Sequence, residues 1–231
     1  MAQARFALYF TPAPSSRLAR FGTAMLGYDC DAGTTVPQAR LDGIDAAAGA
    51  RAAAEPARYG FHGTLMAPFE LAHGRDVDAL AAALKAFAAR RAAVSLGRLK
   101  VDSIGAFTAL VPAGPQDAVG ALAGECLSAF NDFRAPLDAH DRARRLAAHL
   151  SPRQIELLER WGYPYVFEEF RFHMTLTGRL PADARARFLP ALAAAFAPLA
   201  EEPVEIDAVS LLRQDNRAAR FRVVARQKLR G

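Results

Sequence analysis

The chain has 231 residues and a mass of 24.9 kDa, with 52% apolar and 23% charged residues. This is the composition of a folded globular protein, and it excludes a chain that is disordered throughout. No stretch approaches the roughly 18 consecutive apolar residues of a membrane-spanning helix, and the first apolar run, Phe6 to Phe10, is too short for a secretion signal. Because Cys30 and Cys126 form no paired motif, we expect a reduced, cytoplasmic protein.

The net charge of +5 raises the question of a polyanionic partner. Of the 29 basic residues 26 are arginine, and they are spread along the chain instead of gathered in one run. The chain also contains 52 alanines. Abundant alanine and arginine with scarce lysine is typical of a GC-rich coding sequence, so the charge favours a solvated surface over nucleic-acid binding.

The first part of the chain alternates strand and helix patterns. They predict a strand at Arg5–Thr11 that Pro12 ends, and a helix that Ser15 or Ser16 caps and that runs to about Leu26. A polar loop follows at Gly27–Gln38, an alanine-rich helix at Asp42–Ala54 and an extended segment at Tyr59–Leu71.

The rest of the chain continues in the same way. A helix capped by Asp76 is followed by two strands around Gly105, Val94–Val101 and Phe107–Val111. Helices are predicted at Gln116–Phe133, from Ser151-Pro152 and at Pro181–Ala197, and strands at Glu168–Gly178, Val204–Leu212 and Phe221–Arg226.

Two parts of this pattern repeat. Phe61-His62-Gly63-Thr64-Leu65 matches Phe172-His173-Met174-Thr175-Leu176, and a helix and two strands follow each motif at nearly equal distances. We therefore predict an α+β fold, a single domain over residues 1–231, built from duplicated strand–helix–strand–strand units. The halves are roughly 1–113 and 162–231, and a helical insertion occupies roughly 114–161.

The spacing within each motif has a structural consequence. Residues i and i+2 of a strand point to the same face, so His62 projects with Thr64, and His173 with Thr175. A duplicated unit tends to pack about a pseudo-twofold axis, which brings the two His–Thr pairs together across a cleft.

Two imidazoles and two hydroxyls suit phosphoester chemistry. One imidazole can accept a proton from the attacking oxygen while the other protonates the leaving oxygen, and the threonines can bind the phosphate oxygens. The sequence therefore predicts His62 and His173 as catalytic residues and Thr64 and Thr175 as phosphate ligands. Strand parity adds Arg171 and Thr177 as candidate phosphate ligands.

Other residues are weaker candidates. Tyr9 and Tyr59 are possible lining residues of the cleft, although Tyr59 shares the parity of the core residue Phe61. The three remaining histidines have no partners at metal-ligand spacing, so we expect neither a metal nor a cofactor: His73, His140 and His149. The chain contains no GxGxxG, GxxxxGK[ST] or GxSxG pattern.

The two motifs resemble the 2H phosphoesterase superfamily, the LigT-like proteins named for two H-x-T/S motifs. Four longer blocks are similar to one branch, the phosphonate-metabolism proteins encoded in phosphonate-degradation operons: RFALYF, RFGTAMLGYD, RYGFHGTLMAPFEL and FRFHMTLTGRL. This resemblance implies a bilobal fold with antiparallel sheets around a central cleft, and metal-independent hydrolysis of a cyclic phosphodiester. His62, Thr64, His173 and Thr175 occupy the motif positions.

Three functions follow as hypotheses. The first is hydrolysis of a cyclic phosphodiester of a small sugar or nucleotide, linked to phosphonate metabolism. The second is processing of RNA ends that carry a 2′,3′-cyclic phosphate, which would make binding steeply salt-dependent. The third is a phosphate- or nucleotide-binding module without turnover, which the intact pair of histidines disfavours. No membrane partner is expected, and the sequence leaves the oligomeric state open.

Overall fold

A computed structural model describes residues 4–231; the first three residues of the predicted 1–113 unit lie outside it. The helices are α1 (Arg17–Leu26), α2 (Ala46–Ala53), α3 (Val77–Ala88), α4 (Asp117–Phe130), α5 (Ala139–Leu146), α6 (Pro152–Trp161) and α7 (Ala182–Phe196). The strands are β1 (Arg5–Phe10), β2 (Tyr28–Asp29), β3 (Thr34–Thr35), β4 (Gly63–Glu70), β5 (Val94–Gly97), β6 (Leu99–Ile104), β7 (Phe107–Pro112), β8 (Met174–Thr175), β9 (Val204–Ile206), β10 (Ala208–Gln214) and β11 (Arg222–Lys228).

A seven-stranded sheet forms the centre of the molecule, with strand order β11-β10-β1-β4-β8-β7-β6. Every pair of neighbouring strands in it is antiparallel. Two further two-stranded sheets, β2-β3 and β5-β9, lie beside it within residues 4–231. The α+β class with antiparallel strands is therefore confirmed.

The predicted helix starts depend on side-chain caps, and three of them are present. The hydroxyl of Ser16 accepts the N–H of Ala19, and the carboxylate of Asp76 accepts that of Ala79. Ser151 and Gln154 form a reciprocal capping box in front of α6. These bonds satisfy backbone donors that the first turn of a helix leaves without partners.

Two predicted strands are each divided in the structure. Val94–Val101 separates into β5 and β6 because Gly97 has a φ of +62°, which turns the chain out of the extended conformation. Val204–Leu212 separates into β9 and β10 around Asp207. In both cases the first piece joins the β5-β9 sheet and the second joins the central sheet. The two predicted strands are thus divided in the same way.

The predicted strand Glu168–Gly178 is much shorter than expected. Residues 167–169 form a 3₁₀ turn, and only Met174–Thr175 pair as β8. The N–H of Phe172 donates to the side-chain oxygen of Gln116, and the N–H groups of Leu176 and Thr177 share the carbonyl of Thr108. The backbone N–H groups on both sides of β8 therefore donate to acceptors outside a regular strand ladder, which keeps β8 short.

The order of elements after β4 is the same as the order after β8. β4 precedes α3, β5, β6 and β7, and β8 precedes α7, β9, β10 and β11. β4 and β8 are adjacent at the middle of the sheet, and β5 pairs with β9. Among the described helices, none is both long and apolar enough to cross a membrane.

Candidate functional site

The two H-x-T motifs meet at the centre of the sheet. Gly63 of β4 and Met174 of β8 are direct antiparallel partners. Continuing this register places His62 beside Thr175 and Thr64 beside His173, on the face opposite to Gly63 and Met174. The two histidines are then diagonal neighbours across one strand pair.

The opposite face of these strands is packed in the core. Phe61 and Leu65 flank the first motif and are 3% and 4% exposed, and Phe172 is 1% exposed. A Cβ on Gly63 would lie 2.3 Å from the Phe172 ring, so only glycine lets this ring pack against β4. The apolar positions of both motifs therefore fix the histidine face outward, as strand parity predicts.

Both imidazoles are held by the same local hydrogen bond. His62 Nδ1 lies 2.8 Å from the carbonyl oxygen of Gly60, and His173 Nδ1 lies 2.8 Å from that of Arg171. A carbonyl only accepts, so Nδ1 carries the proton in each ring and the neutral form keeps its lone pair on Nε2. His62 Nε2 lies 3.3 Å from Thr64 Oγ1, whose hydroxyl donates to it.

Burial makes both histidines weak bases. Desolvation lowers the pKa of His62 to about 4, the hydrogen bond to Gly60 opposes this, and the positive charge of His173 lowers it further. Desolvation also lowers the pKa of His173, against the hydrogen bond to Arg171. Both rings are therefore neutral at pH 7 when no anion lies between them.

Aromatic rings surround the two histidines. Tyr9 stacks on His62, with ring centroids 3.8 Å apart and an angle of 17° between the planes. The Tyr59 ring lies 6.2 Å from His62 and stacks on Phe221 at 5.4 Å. Phe107 lies 5.5 Å from His173. Tyr9 is 1% exposed, so it supports His62 from below.

Arg171 and Thr177, the two candidate phosphate ligands added by strand parity, lie in different surroundings. Arg171 is exposed and lines a cavity next to His173. Thr177 is 2% exposed, and its hydroxyl accepts the N–H of Thr108. The chain leaves the ladder after β8, so parity no longer applies at Thr177. This placement corrects the prediction that Thr177 binds phosphate, and we leave it out of the site.

A cavity of about 570 Å³ opens over this face of the sheet. His173 and Thr64 line it. His62 is not a lining residue, but its Nε2 contacts the hydroxyl of Thr64, which is one. Its far wall comes from the segment that the sequence predicts as an insertion and from the residues that follow: Arg134, Asp138, Asp141, Gln154, Trp161, Tyr163, Tyr165, Phe167 and Phe170.

Sequence reasoning missed several lining residues. Arg5 shares strand parity with Tyr9, and Arg179 follows the second motif closely, so both had a local signal. The aromatic density of residues 161–170 was also visible, but only the fold places this segment above the sheet. His73, His140 and His149 are exposed and lie outside the cavity lining.

Two curated relatives resemble the chain over most of its length. One from Janthinobacterium sp. (strain Marseille) is 40% identical over 221 residues, and one from Laribacter hongkongensis (strain HLHK9) is 39% identical over 219 residues. They cover 94% and 95% of this chain, and both are named ribose 1,5-bisphosphate phosphokinase PhnN. The chain spans about half the length of these relatives, 49% and 50%.

A solved structure titled "Crystal structure of phosphoesterase" aligns with the whole of both chains at 14% identity and a TM-score of 0.43, a similarity too low to support an argument. A family model described as "Protein of unknown function (DUF1045)" matches residues 64–222, which is more than half of the sequence. The chain therefore belongs to the DUF1045 family.

Proposed function

We propose that this protein is a metal-independent phosphoesterase of the 2H type that hydrolyses a cyclic phosphodiester of a small sugar. The observation that carries the proposal is the pairing of Gly63 with Met174, because it sets the two His–Thr pairs side by side on one face of the sheet, where Thr64 and His173 line the cavity. The cavity is large enough for a sugar phosphate and presents Arg171 next to His173.

The two histidines would divide the proton transfers between them. His62 stays neutral above pH about 4, so we assign it as the base that takes a proton from the attacking water through Nε2. His173 lines the cavity, and we assign it as the acid. Water attacks phosphorus, the bond from phosphorus to one ester oxygen breaks, and His173 Nε2 gives its proton to that oxygen.

The remaining groups would stabilise the charge that develops on phosphorus. When phosphate binds, the Thr64 hydroxyl would turn from His62 Nε2 to a non-bridging oxygen, which leaves Nε2 free to accept the proton of water. Thr175 can donate its hydroxyl proton to another non-bridging oxygen, and Arg171 can neutralise the phosphate. An anion between the imidazoles favours their charged forms, so substrate binding itself would raise the pKa of His173 and supply the acidic proton. The product is an acyclic phosphomonoester.

The names of the relatives support a sugar phosphate as substrate. They are named for a kinase that acts on ribose 1,5-bisphosphate and are about twice as long as this chain. The chain contains no GxxxxGK[ST] nucleotide-phosphate loop, so we assign it hydrolysis of a ribose cyclic phosphate instead of phosphate transfer. The resemblance of four sequence blocks to phosphonate-operon proteins links this reaction to phosphonate metabolism.

The order of elements supports a common origin of the two halves. We propose that residues 1–113 and 162–231 are copies of one unit facing each other across the site, and that 114–161 was inserted between them. The equivalent bonds from His62 and His173 to the carbonyls two residues earlier agree with such a duplication.

The test is turnover of a panel of cyclic phosphates in the presence of EDTA. We expect hydrolysis of a ribose 1,2-cyclic phosphate at a rate that EDTA does not change. Loss of turnover in EDTA and recovery with a divalent ion would contradict the mechanism. Preference for RNA with a 2′,3′-cyclic end and a steep loss of affinity with salt would favour RNA processing, and binding without turnover would indicate a binding module.

A further inference from the structure

A second group of cations lies beyond the proposed catalytic pair, where β1 faces the segment between α4 and α6. Arg5, which lines the cavity, is 8% exposed. Its guanidinium donates through Nε and Nη2 to the Gln214 side-chain oxygen, at 2.8 and 2.5 Å. This contact gives Arg5 an uncharged partner.

The carboxylates nearby are bound to other arginines. Glu70 is the strand partner of Arg5 across β1 and β4, yet it pairs with Arg217 at 3.2 Å. Asp141 pairs with Arg217 at 2.7 Å and with Arg144 at 3.1 Å. Within residues 4–231, Arg5 makes no ion pair.

Arg145 of α5 is a second arginine that is half-buried without a full set of hydrogen-bond partners. Its guanidinium lies 5.1 Å from the centre of the Tyr163 ring, and Tyr163 lines the cavity. Its Nε is buried and has no hydrogen-bond partner among the described residues. Burial is the main cause that lowers the pKa of Arg145; the charges of Arg144 and Arg5 add to this effect, and Tyr163 and Asp141 oppose it. Arg145 is therefore a partly desolvated cation behind Tyr163, at the edge of the cavity that Arg5 and Tyr163 line.

A buried cation is costly unless an anion or several acceptors compensate it. We propose that Arg5, Arg145 and Tyr163 form a second anion subsite, which binds a phosphate monoester carried by the substrate in addition to its cyclic phosphodiester. This inference rests on the proposed function and narrows it to a phosphorylated sugar cyclic phosphate. Arg5 and the Tyr163 hydroxyl would contact the phosphate, and Arg145 would add charge from behind Tyr163.

The position of the subsite suits a sugar between two phosphates. The Arg5 guanidinium carbon lies 5.4 Å from the Phe221 ring centre, that ring lies 6.3 Å from Tyr9, and Tyr9 stacks on His62. Tyr9 and Phe221 are 1% and 0% exposed, so they support this face from the core side. Arg5, Thr64 and His173 line the same cavity, so a sugar bound there can present one phosphate to His173 and a second to Arg5.

The first test is binding of ribose 5-phosphate, which has no cyclic phosphodiester and cannot be turned over. We expect calorimetry to show binding to the wild type and to His62→Ala, with ribose binding far more weakly. Arg5→Gln should weaken binding by about 10- to 100-fold, the usual effect of losing a charged hydrogen-bond partner. Arg145→Gln removes a charge that does not touch the phosphate, so it should weaken binding less, by about 3- to 10-fold. Arg142→Gln on the same helix, where Arg142 pairs with Glu159, is the matched control and should leave affinity unchanged.

The second test compares ribose 1,2-cyclic phosphate with and without a 5-phosphate. We expect the wild type to prefer the phosphorylated substrate by at least about 10-fold in kcat/KM, Arg5→Gln to bring this ratio towards 1, and Arg145→Gln to lower it in part. The ratio is insensitive to a partial loss of folded protein, which guards against a variant that folds poorly.

The outcomes separate this inference from the proposed function. Binding of ribose 5-phosphate that survives in both arginine variants but disappears in His62→Ala places the phosphate at the histidines and overturns the second subsite. Equal kcat/KM for both substrates overturns it as well. Failure to hydrolyse any cyclic phosphate, with arginine-dependent binding of ribose 5-phosphate intact, overturns the hydrolase and keeps the subsite.

Discussion

At the scale of single residues, His62 and His173 have the same hydrogen bond but different surroundings. His62 lies between Tyr9 and the Thr64 hydroxyl, whereas His173 lines the cavity. Burial lowers the pKa of both rings, to about 4 at His62. The different surroundings of the two rings are the basis for the proposed roles of His62 as base and His173 as acid.

Replacing either histidine by alanine should lower kcat by at least about 100-fold, as loss of a general acid or base usually does. The double variant should be little worse than either single one, because the two rings act as a unit. His140→Ala is the control, since His140 is exposed on α5, and it should retain full activity in the same steady-state assay. Equal losses at all three positions would indicate destabilisation instead of catalysis.

The lowered pKa values shift the pH optimum. In the free enzyme the base must be neutral and the acid protonated, so kcat/KM should rise as pH increases through about 4 and fall as pH passes the lowered pKa of His173. The maximum therefore lies on the acidic side of 6.5, while kcat reaches to higher pH because bound phosphate raises both pKa values. A kcat/KM maximum above pH 7 would contradict the assignment.

At the scale of elements, β4 and β8 position the site through their buried faces. Phe172 covers Gly63, and this contact sets how closely the two strands approach. A two-residue strand such as β8 contributes few ladder hydrogen bonds, so side-chain packing on the core face carries much of the alignment.

Gly63→Ala should therefore destabilise the protein by about 1–3 kcal/mol and lower activity, because the new methyl group would overlap the Phe172 ring. Gly49→Ala is the matched control: Gly49 lies in α2 with no atom near its Cβ position, and alanine there should stabilise the helix by about 0.5–1 kcal/mol. Urea denaturation measures both. A Gly63→Ala protein as stable and active as the wild type would show that the strand contact is unimportant.

At the scale of the whole molecule, the buried neutral histidines connect the site to folding stability. The unfolded chain protonates His62 near its ordinary pKa of 6.5, whereas the folded chain does so only near 4. Between these values the unfolded state binds more protons, so the free energy of unfolding falls as pH falls.

For His62 this contribution is about 3 kcal/mol of stability at pH 7 that is lost by pH 4. Urea denaturation at pH 7, 5 and 4 should show a steeper decline in the wild type than in His62→Ala, since the variant has no imidazole to protonate at this position. Parallel declines in the two proteins would mean that His62 is not desolvated in solution.

The sequence by itself determined the class of the fold, most helix starts and which face of each motif is buried. Caps such as Ser16, Asp76 and Ser151 act within one turn, and the alternation of Phe61, Gly63 and Leu65 with His62 and Thr64 is a property of any strand. These are local interactions, so they can be read from neighbouring residues. Strand parity failed at Thr177, where the chain leaves the ladder.

Only the tertiary structure decided which residues surround the site. Gly97 turns the chain locally between β5 and β6, but the partner of β5 is β9, which lies more than 100 residues away in the chain. The same holds for Arg5, Arg145 and Tyr163, which no motif connects. Arg145 and Tyr163 belong to the segment after α4, which packs over the cavity that Arg5 lines, and long-range packing leaves no periodic signal in the sequence.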